Sequence, residues 1–441
     1  MSHLNNHDKI YTDLTRHIRL NPVFLAWMLG TTGLLGVCLY AYVLQLQEGM
    51  VVTGLGDYVS WGIYVANFVF FVATSLIGML ISSVLILSGQ DWAKPLARIA
   101  EIIAFSFAAV AGLVIVMDMG RPERLLYVII HARIQSPILW DVTVVTTYMV
   151  ISLLLYYIPM LPDLKLLRER FDGKPKIFKK IYGILSLGFS GSVKHNEILK
   201  KTTKILAILI IPVALAIHTV TSWLFASTSR AGWDSTIFGP YFVSGAFVAG
   251  TAAVIMAMYF FRYNYKLHDY IKPEHFNKMG KLLVLVSLVY LYFNLNEFLV
   301  PAYKMKKAEA VHLDALLAGH HALMFWAVQL AGLIIPILAL LFKQMRKPKP
   351  LLIISFFVLI GSWFKRYLIV VPTQEHPFLP IQNVPAYFKI YIPTFTEILI
   401  TLAPIILVIL IFSTLAKFFP VIPIAETIEA HEKESHEKTI Q

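Results

Sequence analysis

Ten long runs of apolar residues divide this chain, and they constrain its fold more than any other feature. A bilayer core is about 30 Å thick, and a helix needs about 20 residues to cross it. The runs have about that length, and 58% of the 441 residues are hydrophobic, above the roughly 45–50% usual in soluble domains. The sequence therefore predicts an all-α, polytopic membrane protein. The predicted spans are 23–46, 62–88, 97–117, 138–159, 204–227, 237–261, 281–299, 321–342, 351–371 and 394–416.

The Lys and Arg residues are divided unequally between the two sets of loops. If the termini and every second loop share one side of the membrane, that side holds 28 of the 38 Lys and Arg residues. The positive-inside rule makes this side cytoplasmic. We therefore expect an inner-membrane protein with a cytoplasmic N-terminus over 1–22, a transmembrane domain over 23–416 and a cytoplasmic tail over 417–441. The tail mixes Glu, Lys and His and is expected to be disordered.

The residue types exclude several kinds of site within this chain. Its single cysteine, Cys38, lies inside the first span, so the chain alone provides no disulfide, Cys-ligated zinc site or iron–sulfur cluster. A haem b group needs two facing histidines within spans. Only His218 lies well inside one, and His320 and His321 lie at a span end, so we expect no haem and no other metal. The net charge of +12 lies mainly between the spans, which argues against nucleic-acid binding.

Two connecting segments differ from the other loops. Residues 160–203 carry ten Lys and Arg residues against four acids, and they are either a solvated basic loop or include a helix lying among anionic lipids. Residues 372–393 contain five prolines and several aromatics, so we expect a shaped, non-helical loop. That loop is either a docking surface for another subunit or part of an interfacial aromatic belt. The apolar face of the possible interfacial helix comprises Ile177, Phe178, Ile181, Tyr182, Ile184 and Leu185.

Polar and ionisable groups in the spans gather towards the ends that this topology places outside. Charges in hydrocarbon cost at least about 2.5–3.5 kcal/mol, so such groups face the bundle interior, pair with one another or line a polar cavity. The alternative for any one residue is an ion pair that joins two helices. Glu101, near the inner end of span three, is the clearest exception. The outward set comprises Asn67, Asp118, Arg121, Asp141, His218, Arg230, Glu297, His320, His321, Lys365, Arg366 and Glu397.

Such a set suits reversible proton exchange beside an apolar cavity. A quinone needs an apolar slot, a hydrogen-bond partner at each carbonyl group and a proton path to water. Histidine exchanges protons near neutral pH, and a carboxylate can be tuned to do so. His218 is a candidate for a direct role, although a single buried histidine is also common as a satisfied structural group.

Five segments resemble the polysulfide-reductase membrane-subunit family, which is called NrfD/PsrC-like. The likeness extends from about residue 20 to about residue 415 and is most similar to the ten-helix branch. That branch includes membrane subunits of alternative complex III, menaquinone reductase and sulfite-reductase-associated complexes. The segments are 118–124 (DMGRPER), 136–143 (SPILWDVT), 156–164 (YYIPMLPDL), 217–223 (IHTVTSW) and 233–242 (WDSTIFGPYF).

The resemblance implies two four-helix bundles, spans two to five and six to nine, flanked by spans one and ten. It also implies a quinone site near the outer face. Alternative complex III subunits often carry His where this chain has Asp118, which leaves the exact quinone contact and the direction of the reaction open. The predicted catalytic residues are Asp118, Asp141 and His218, and Arg121 and Asn67 join them as predicted quinone-binding residues. The predicted proton-path residues are Glu297, Glu397 and Glu101.

The predicted function is that of the quinone-interacting subunit of a multisubunit respiratory oxidoreductase. It would exchange electrons between menaquinone or ubiquinone and an iron–sulfur subunit on the outer face, with further catalytic or multihaem subunits attached. Alone it would be non-catalytic, and Glu101 as a single inner acid does not support proton pumping. The alternatives are a secondary transporter, which would bind its substrate near the midplane between repeats, and a purely structural anchor. An anchor would tolerate Asn at Asp118 and Asp141.

Overall fold

The computed structural model describes residues 2–18, 20–88, 94–171, 177–377, 383, 385 and 389–440. Within these residues the chain is helical and contains no β-strand. Ten of the described helices are long and apolar enough to cross a membrane, as predicted. They are α1 (Pro22–Glu48), α2 (Ile63–Ser88), α3 (Lys94–Asp118), α4 (Pro137–Tyr157), α5 (Val193–Ala226), α6 (Phe238–Asn264), α7 (Pro273–Lys304), α8 (Ala322–Leu341), α9 (Pro348–Glu375) and α10 (Phe395–Phe418).

The membrane helices form two four-helix bundles and a flanking pair. In the first bundle, α2 and α4 each pack against both α3 and α5. In the second, α6 and α8 each pack against both α7 and α9. The flanking helices α1 and α10 pack against each other, and α10 also contacts α3. Because α6 contacts α2, α3 and α5, the two bundles share a seam in which α2 and α6 are the most deeply buried helices.

Small residues set the close spacing of helices at the centre. A Cβ atom added to Gly78 of α2 would lie 2.1 Å from the carbonyl oxygen of Ala100 on α3. A Cβ atom added to Gly250 of α6 would lie 2.0 Å from Cγ2 of Ile77 on α2. Small residues let membrane helices approach closely, and the resulting packing drives their association. These glycines therefore hold α2, α3 and α6 together.

The two ends of the helix bundle carry different groups. We call the end at which α3 stops and α4, α6, α8 and α10 begin the Asp118 face. The opposite end is the Glu101 face, and the short helices beside the termini lie there. At that face α4 continues through a 3-10 turn into the helix Leu161–Arg170.

The C-terminal tail, which was expected to be disordered, is helical over most of its length in the structure. Residues Ile424–Ile440 form a helix. The amide of Ala425 donates to Oδ1 of Asp163 at 2.9 Å, and His7 pairs with Glu432 at 3.1 Å, which joins the tail to the N-terminal helix. Ala, Glu and Lys have good helix propensity, so the composition that suggested disorder also supports a helix once its first turn is anchored.

The basic segment before α5 contains a helix, Ile177–Leu185, which is one of the two alternatives that the sequence left open. One part of its apolar side packs against the protein, and the other part is exposed. Phe178 and Tyr182 are buried, and the Tyr182 hydroxyl donates to the carbonyl oxygen of Phe418 at the end of α10 at 2.8 Å. The three isoleucines of this helix, Ile177, Ile181 and Ile184, are 40–67% exposed and are free to contact lipid.

The proline-rich segment 372–393 was expected to be non-helical throughout, and this is wrong at its start. Helix α9 continues through Pro372 to Glu375. Proline removes one backbone hydrogen bond, and membrane helices tolerate this loss where neighbouring groups compensate. At the end of α9, the carbonyl oxygen of Pro372 accepts a hydrogen bond from Nδ1 of His376 at 2.9 Å, which caps the last turn of the helix. Much of the rest of this segment lies outside the described residues, namely 378–382, 384 and 386–388, and with it the choice between a docking surface and an aromatic belt.

Candidate functional site

The seam between α4 and α5 holds a buried carboxyl group near the Asp118 face. Asp141 lies one turn into α4 and is 5% exposed. Its Oδ1 accepts a hydrogen bond from the hydroxyl of Thr221 on α5 at 2.5 Å, and Thr221 is fully buried. A carboxyl group held by a hydroxyl group can gain or lose a proton without breaking an ion pair. This seam therefore offers a proton-exchanging group inside the first bundle.

A cleft of about 490 Å³ opens beside this pair of residues. Two of its walls are the indole rings of Trp140, which precedes Asp141, and Trp223, which follows Thr221 by two positions. The ring centroids lie 6.1 Å apart and the rings are nearly perpendicular, at 79°. This volume falls within the roughly 300–1,000 Å³ of small-molecule sites. The other lining residues are Ala226, Ser227, Asp234, Ser235, Thr236 and Gly239.

His218 lies one helical turn further into the bundle on α5. It is 1% exposed, and its Nε2 has no hydrogen-bond partner. The guanidinium group of Arg366 on α9 lies near it, 5.4 Å above the ring of Phe242. Buried polar atoms in folded proteins nearly always have a hydrogen-bond partner. The ring nitrogen of His218 is therefore available to a bound molecule or to water.

Asp118 lies in a different seam, where α3 ends against α1 and α2. Its Oδ1 is buried and has no hydrogen-bond partner. Gln45 of α1 donates to the carbonyl oxygen of Met117 at 2.8 Å and accepts from the hydroxyl of Tyr64 at 2.7 Å. Gln45 thus satisfies a carbonyl group that the end of α3 leaves without a partner. The carboxylate of Glu397 on α10 is close enough to interact with the charge of Asp118.

The two acids that were predicted to form one site therefore lie in separate seams of the same face. Asp141 lies in the seam of α4 and α5 and is the next residue after Trp140, which lines the tryptophan cleft. Asp118 belongs to the junction of α1, α2, α3 and α10.

The NrfD family model, described as polysulphide reductase NrfD, matches residues 51–377. The match includes α2 to α9 and therefore both Asp118 and Asp141, whereas α1 and α10 lie outside it. The chain belongs to the NrfD family. The resemblance inferred from the sequence segments is thereby confirmed.

Three relatives align with almost the whole of this NrfD protein. A selenate reductase subunit of Mesobacillus selenatarsenatis is 27% identical over 392 residues, 86% of this chain and 90% of that protein. The Hdr-like menaquinol oxidoreductase integral membrane subunit of Archaeoglobus fulgidus is 24% identical over 401 residues, 87% of this chain and 90% of that protein. The menaquinone reductase integral membrane subunit of Nitratidesulfovibrio vulgaris is 23% identical over 422 residues, 91% and 92% of the two chains.

Glu397 of this NrfD protein is fully hydrogen-bonded. Its Oε2 accepts from the amides of Gly54 at 2.7 Å and Thr394 at 2.8 Å, and its Oε1 accepts from the hydroxyl of Tyr391 at 2.6 Å. The amide of Glu397 donates to the Thr394 hydroxyl at 3.3 Å, which completes a capping box at the start of α10. Glu397 therefore joins the α1–α2 loop to α10 and places a carboxylate beside Asp118.

Burial keeps two groups outside the membrane helices of the NrfD protein uncharged. Burial, reinforced by the adjacent Glu397 carboxylate, raises the pKa of Tyr391 well above its usual range. Burial lowers the pKa of His312 to about 4, and the nearby ammonium group of Lys365 adds to this effect. Both groups are therefore neutral at physiological pH.

Asn67 joins the two bundles of the NrfD protein. It is fully buried on α2, and its Oδ1 accepts a hydrogen bond from Nε1 of Trp363 on α9 at 2.6 Å. Its Nδ2 is buried without a hydrogen-bond partner. The residue predicted to bind quinone thus lies at the shared seam, with one donor atom unused.

Glu297, a predicted proton-path residue, lies in the second bundle beside a buried lysine. Lys365, which is 4% exposed, donates to Oε2 of Glu297 at 2.9 Å. An amide network continues this group, since Asn294 donates to Gln329 at 2.7 Å and accepts from the Tyr241 hydroxyl at 3.1 Å. Glu297 is therefore one half of a buried ion pair.

Glu101 is accompanied by charged residues that the sequence reasoning missed. Arg98, only 1% exposed, donates to Oδ2 of Asp163 at 2.8 Å, and its Nε lies 4.0 Å from Oε2 of Glu101. The hydroxyl of Ser82 donates to the other Glu101 oxygen. An arginine one helical turn before a buried glutamate was the signal that could have found this group.

Arg121 is exposed in the loop after α3. Its carbonyl oxygen accepts a hydrogen bond from the amide of Arg124 at 3.0 Å within a short 3-10 turn. A Cβ atom on Gly120 would lie 3.2 Å from Cγ of Met50, so this loop packs against the one that follows α1. Arg121 is therefore placed at the surface next to the Asp118 seam.

Proposed function

We propose that this protein is the quinone-interacting membrane subunit of a multisubunit oxidoreductase. In this proposal it exchanges electrons between the quinone pool and an iron–sulfur subunit bound at the Asp118 face. The relatives named as a menaquinol oxidoreductase subunit, a menaquinone reductase subunit and a selenate reductase subunit support membership of a redox complex. Two of these names also favour menaquinone over ubiquinone as the substrate.

The observation that carries the proposal is the tryptophan cleft with a buried acid behind it. The rings of Trp140 and Trp223 offer flat apolar walls to a quinone ring. Asp141 and Thr221 supply a carboxyl group and a hydroxyl group at the adjacent turn of the helices. A ligand site of this kind combines apolar walls with a few polar groups that fix orientation.

The proposed chemistry is proton exchange coupled to electron transfer. Oxidation of a quinol releases two electrons and two protons, and the electrons pass to the redox centre of the partner subunit. In this scheme the Thr221 hydroxyl holds the carboxylate of Asp141 in place, and this carboxylate takes one proton from a quinol hydroxyl to become a carboxylic acid. The unpartnered Nε2 of His218 is assigned to the second quinol oxygen, from which it takes the second proton. The same steps in reverse reduce a quinone.

The remaining predicted residues receive supporting roles. Asp118, with its unpartnered Oδ1, is assigned to proton release at the same face, beside the capping carboxylate of Glu397. The ion pairs of Glu297 with Lys365 and of Glu101 near Arg98 are assigned to helix packing. These assignments leave proton exchange confined to the Asp118 face.

The excess of Lys and Arg at the Glu101 face supports an orientation with that face in the cytoplasm. Both termini would then be cytoplasmic, and the Asp118 face would lie outside the inner membrane. The iron–sulfur partner would dock there, within reach of the cleft.

Photolabelling can test where quinone binds. The purified complex is irradiated with a photoreactive naphthoquinone, and labelled peptides are identified by mass spectrometry. We expect labels on the segments that carry Trp140 and Trp223, and we expect excess menaquinone to abolish them. Trp223→Ala should reduce labelling strongly because it removes one wall of the cleft. Trp326→Ala is the matched control, since Trp326 is 46% exposed and lies near the start of α8 at the same face.

Labels concentrated on the peptides of Gln45, Tyr64 and Asp118 would contradict the cleft and favour the other seam. Labelling that menaquinone does not compete away would contradict quinone binding altogether and favour a purely structural anchor.

A further inference from the structure

Three potential metal ligands converge at the Asp118 face, away from the tryptophan cleft. His320 and His321 precede α8, and Glu375 ends α9. Nε2 of His320 lies 2.7 Å and Nε2 of His321 lies 2.8 Å from the same oxygen, Oε2 of Glu375. All three donor atoms lie within 4.8 Å of one another. Two imidazoles and a carboxylate thus point at one small volume.

The carboxylate of Glu375 is held in place from its other side. Its Oε1 accepts a hydrogen bond from the amide of Tyr391 at 2.9 Å. Such an outer contact orients a ligating carboxylate and tunes its affinity for a metal. The side chain of Glu375 is 1% exposed and that of His321 is 7% exposed, whereas that of His320 is 40% exposed. The group is therefore fixed on the inside and open to solvent through His320.

Charge balance argues for a cation at this point. Within the described residues, the ion-pair contacts of Glu375 are with these two histidines alone, and no Lys or Arg side chain lies within 4.0 Å of it. Burying a carboxylate without a cation is costly, and buried charges are paired or bind metals. A divalent ion would supply the missing charge.

We propose that His320, His321 and Glu375 form a binding site for a divalent transition metal, of which Zn²⁺ fits best. Two His and one Glu with a fourth position open is a ligand set that zinc sites use. Zinc–ligand distances of about 2.0–2.2 Å in tetrahedral geometry put neighbouring donor atoms roughly 3.3–3.5 Å apart. The present distances of 2.7 and 2.8 Å would widen by less than about 1 Å, which side-chain rotation can provide.

The bound ion would clamp the start of α8 to the end of α9. Through Glu375 it would also hold the backbone of Tyr391, whose hydroxyl reaches Glu397 at the start of α10. The site would therefore order three helix ends at the face on which a partner subunit is proposed to dock. It does not depend on quinone binding.

Metal content of the purified complex tests this site directly. The complex, carrying an affinity tag without histidines, is stripped with a chelator, titrated with Zn²⁺ and analysed by mass spectrometry for elements. We expect one Zn²⁺ per chain more in the wild type than in His321→Ala or Glu375→Gln. His320→Ala should weaken Zn²⁺ binding by at least about tenfold, a loss that even outer-shell changes cause. Any metals in partner subunits are the same in all samples and cancel.

His131→Ala is the matched control, because His131 is an exposed histidine in a loop of the same face. X-ray absorption at the zinc edge should show two imidazole ligands in the wild type and one in His320→Ala. Equal zinc content in the wild type and in His321→Ala or Glu375→Gln would overturn the site. A loss of zinc in His131→Ala as large as in these variants would also overturn it and would indicate an adventitious ion only. If Glu375→Gln does not assemble, His320→Ala decides the question, since its ring is 40% exposed.

Discussion

Replacing Asp141 with asparagine separates proton exchange from helix packing. The Thr221 hydroxyl donates to Oδ1 of Asp141 at 2.5 Å, and both residues are buried. An amide oxygen can accept the same hydrogen bond, and the side chain keeps its size. The free energy of unfolding should therefore change by about 1 kcal/mol or less in Asp141→Asn.

The catalytic effect should be much larger, because an amide cannot take the proton of a quinol. A positioned general base contributes about 10²–10⁴-fold to a rate. We expect Asp141→Asn to slow quinol oxidation at least about 100-fold, which corresponds to about 2.7 kcal/mol in the barrier. Thr221→Val removes only the hydroxyl group that stabilises the carboxylate, and we expect a loss of about tenfold.

The assay is quinol-dependent reduction of the partner subunit's acceptor by the purified complex, with the amount of each subunit measured in every preparation. Thr219→Val is the matched control, because the Thr219 hydroxyl bonds only its own helix, at the carbonyl oxygen of Leu215 at 2.9 Å. Turnover of Asp141→Asn within roughly threefold of wild type would refute proton exchange at this residue. If Asp118→Asn alone lost turnover, the reaction would belong to the Asp118 seam.

Two further predictions concern stability, measured by thermal unfolding in detergent. Burial lowers the pKa of His17 to about 4, so the unfolded chain binds its proton at a higher pH than the folded protein. The free energy of unfolding should therefore fall by up to about 3 kcal/mol as the pH is lowered from 6.5 to 4. In His17→Gln this fall should be smaller. Identical pH profiles of stability for the wild type and His17→Gln would contradict this prediction. Glu297→Gln leaves the buried Lys365 unpaired and should lower the free energy of unfolding by about 3–5 kcal/mol. Adding Lys365→Met should restore most of this loss. Equal unfolding midpoints for the single and the double variant would contradict the prediction.

The membrane helices could be predicted because crossing a bilayer is a local demand. Each segment must bring about 20 apolar residues and satisfy its own backbone hydrogen bonds, whatever its neighbours do. The predicted span 62–88 and the helix Ile63–Ser88 accordingly differ by one residue. Counting crossings also places Asp118, Asp141 and Glu397 at one face. Contacts between distant residues, such as the hydrogen bond from the tail amide of Ala425 to Asp163, lie beyond such local reasoning.

Which of these residues share a site was decided by the tertiary structure. Hydropathy reports how deep a residue lies in the bilayer, but its partners depend on the rotation of each helix about its axis. That rotation is set by contacts between residues distant in the chain, such as Asp141 with Thr221 80 positions later, and Gly54 with Glu397 343 positions later. The close approach of helices at Gly78 and Gly250 selects among the possible rotations. For this reason the sequence predicted a set of acids at one depth, and the packing divided them between two seams.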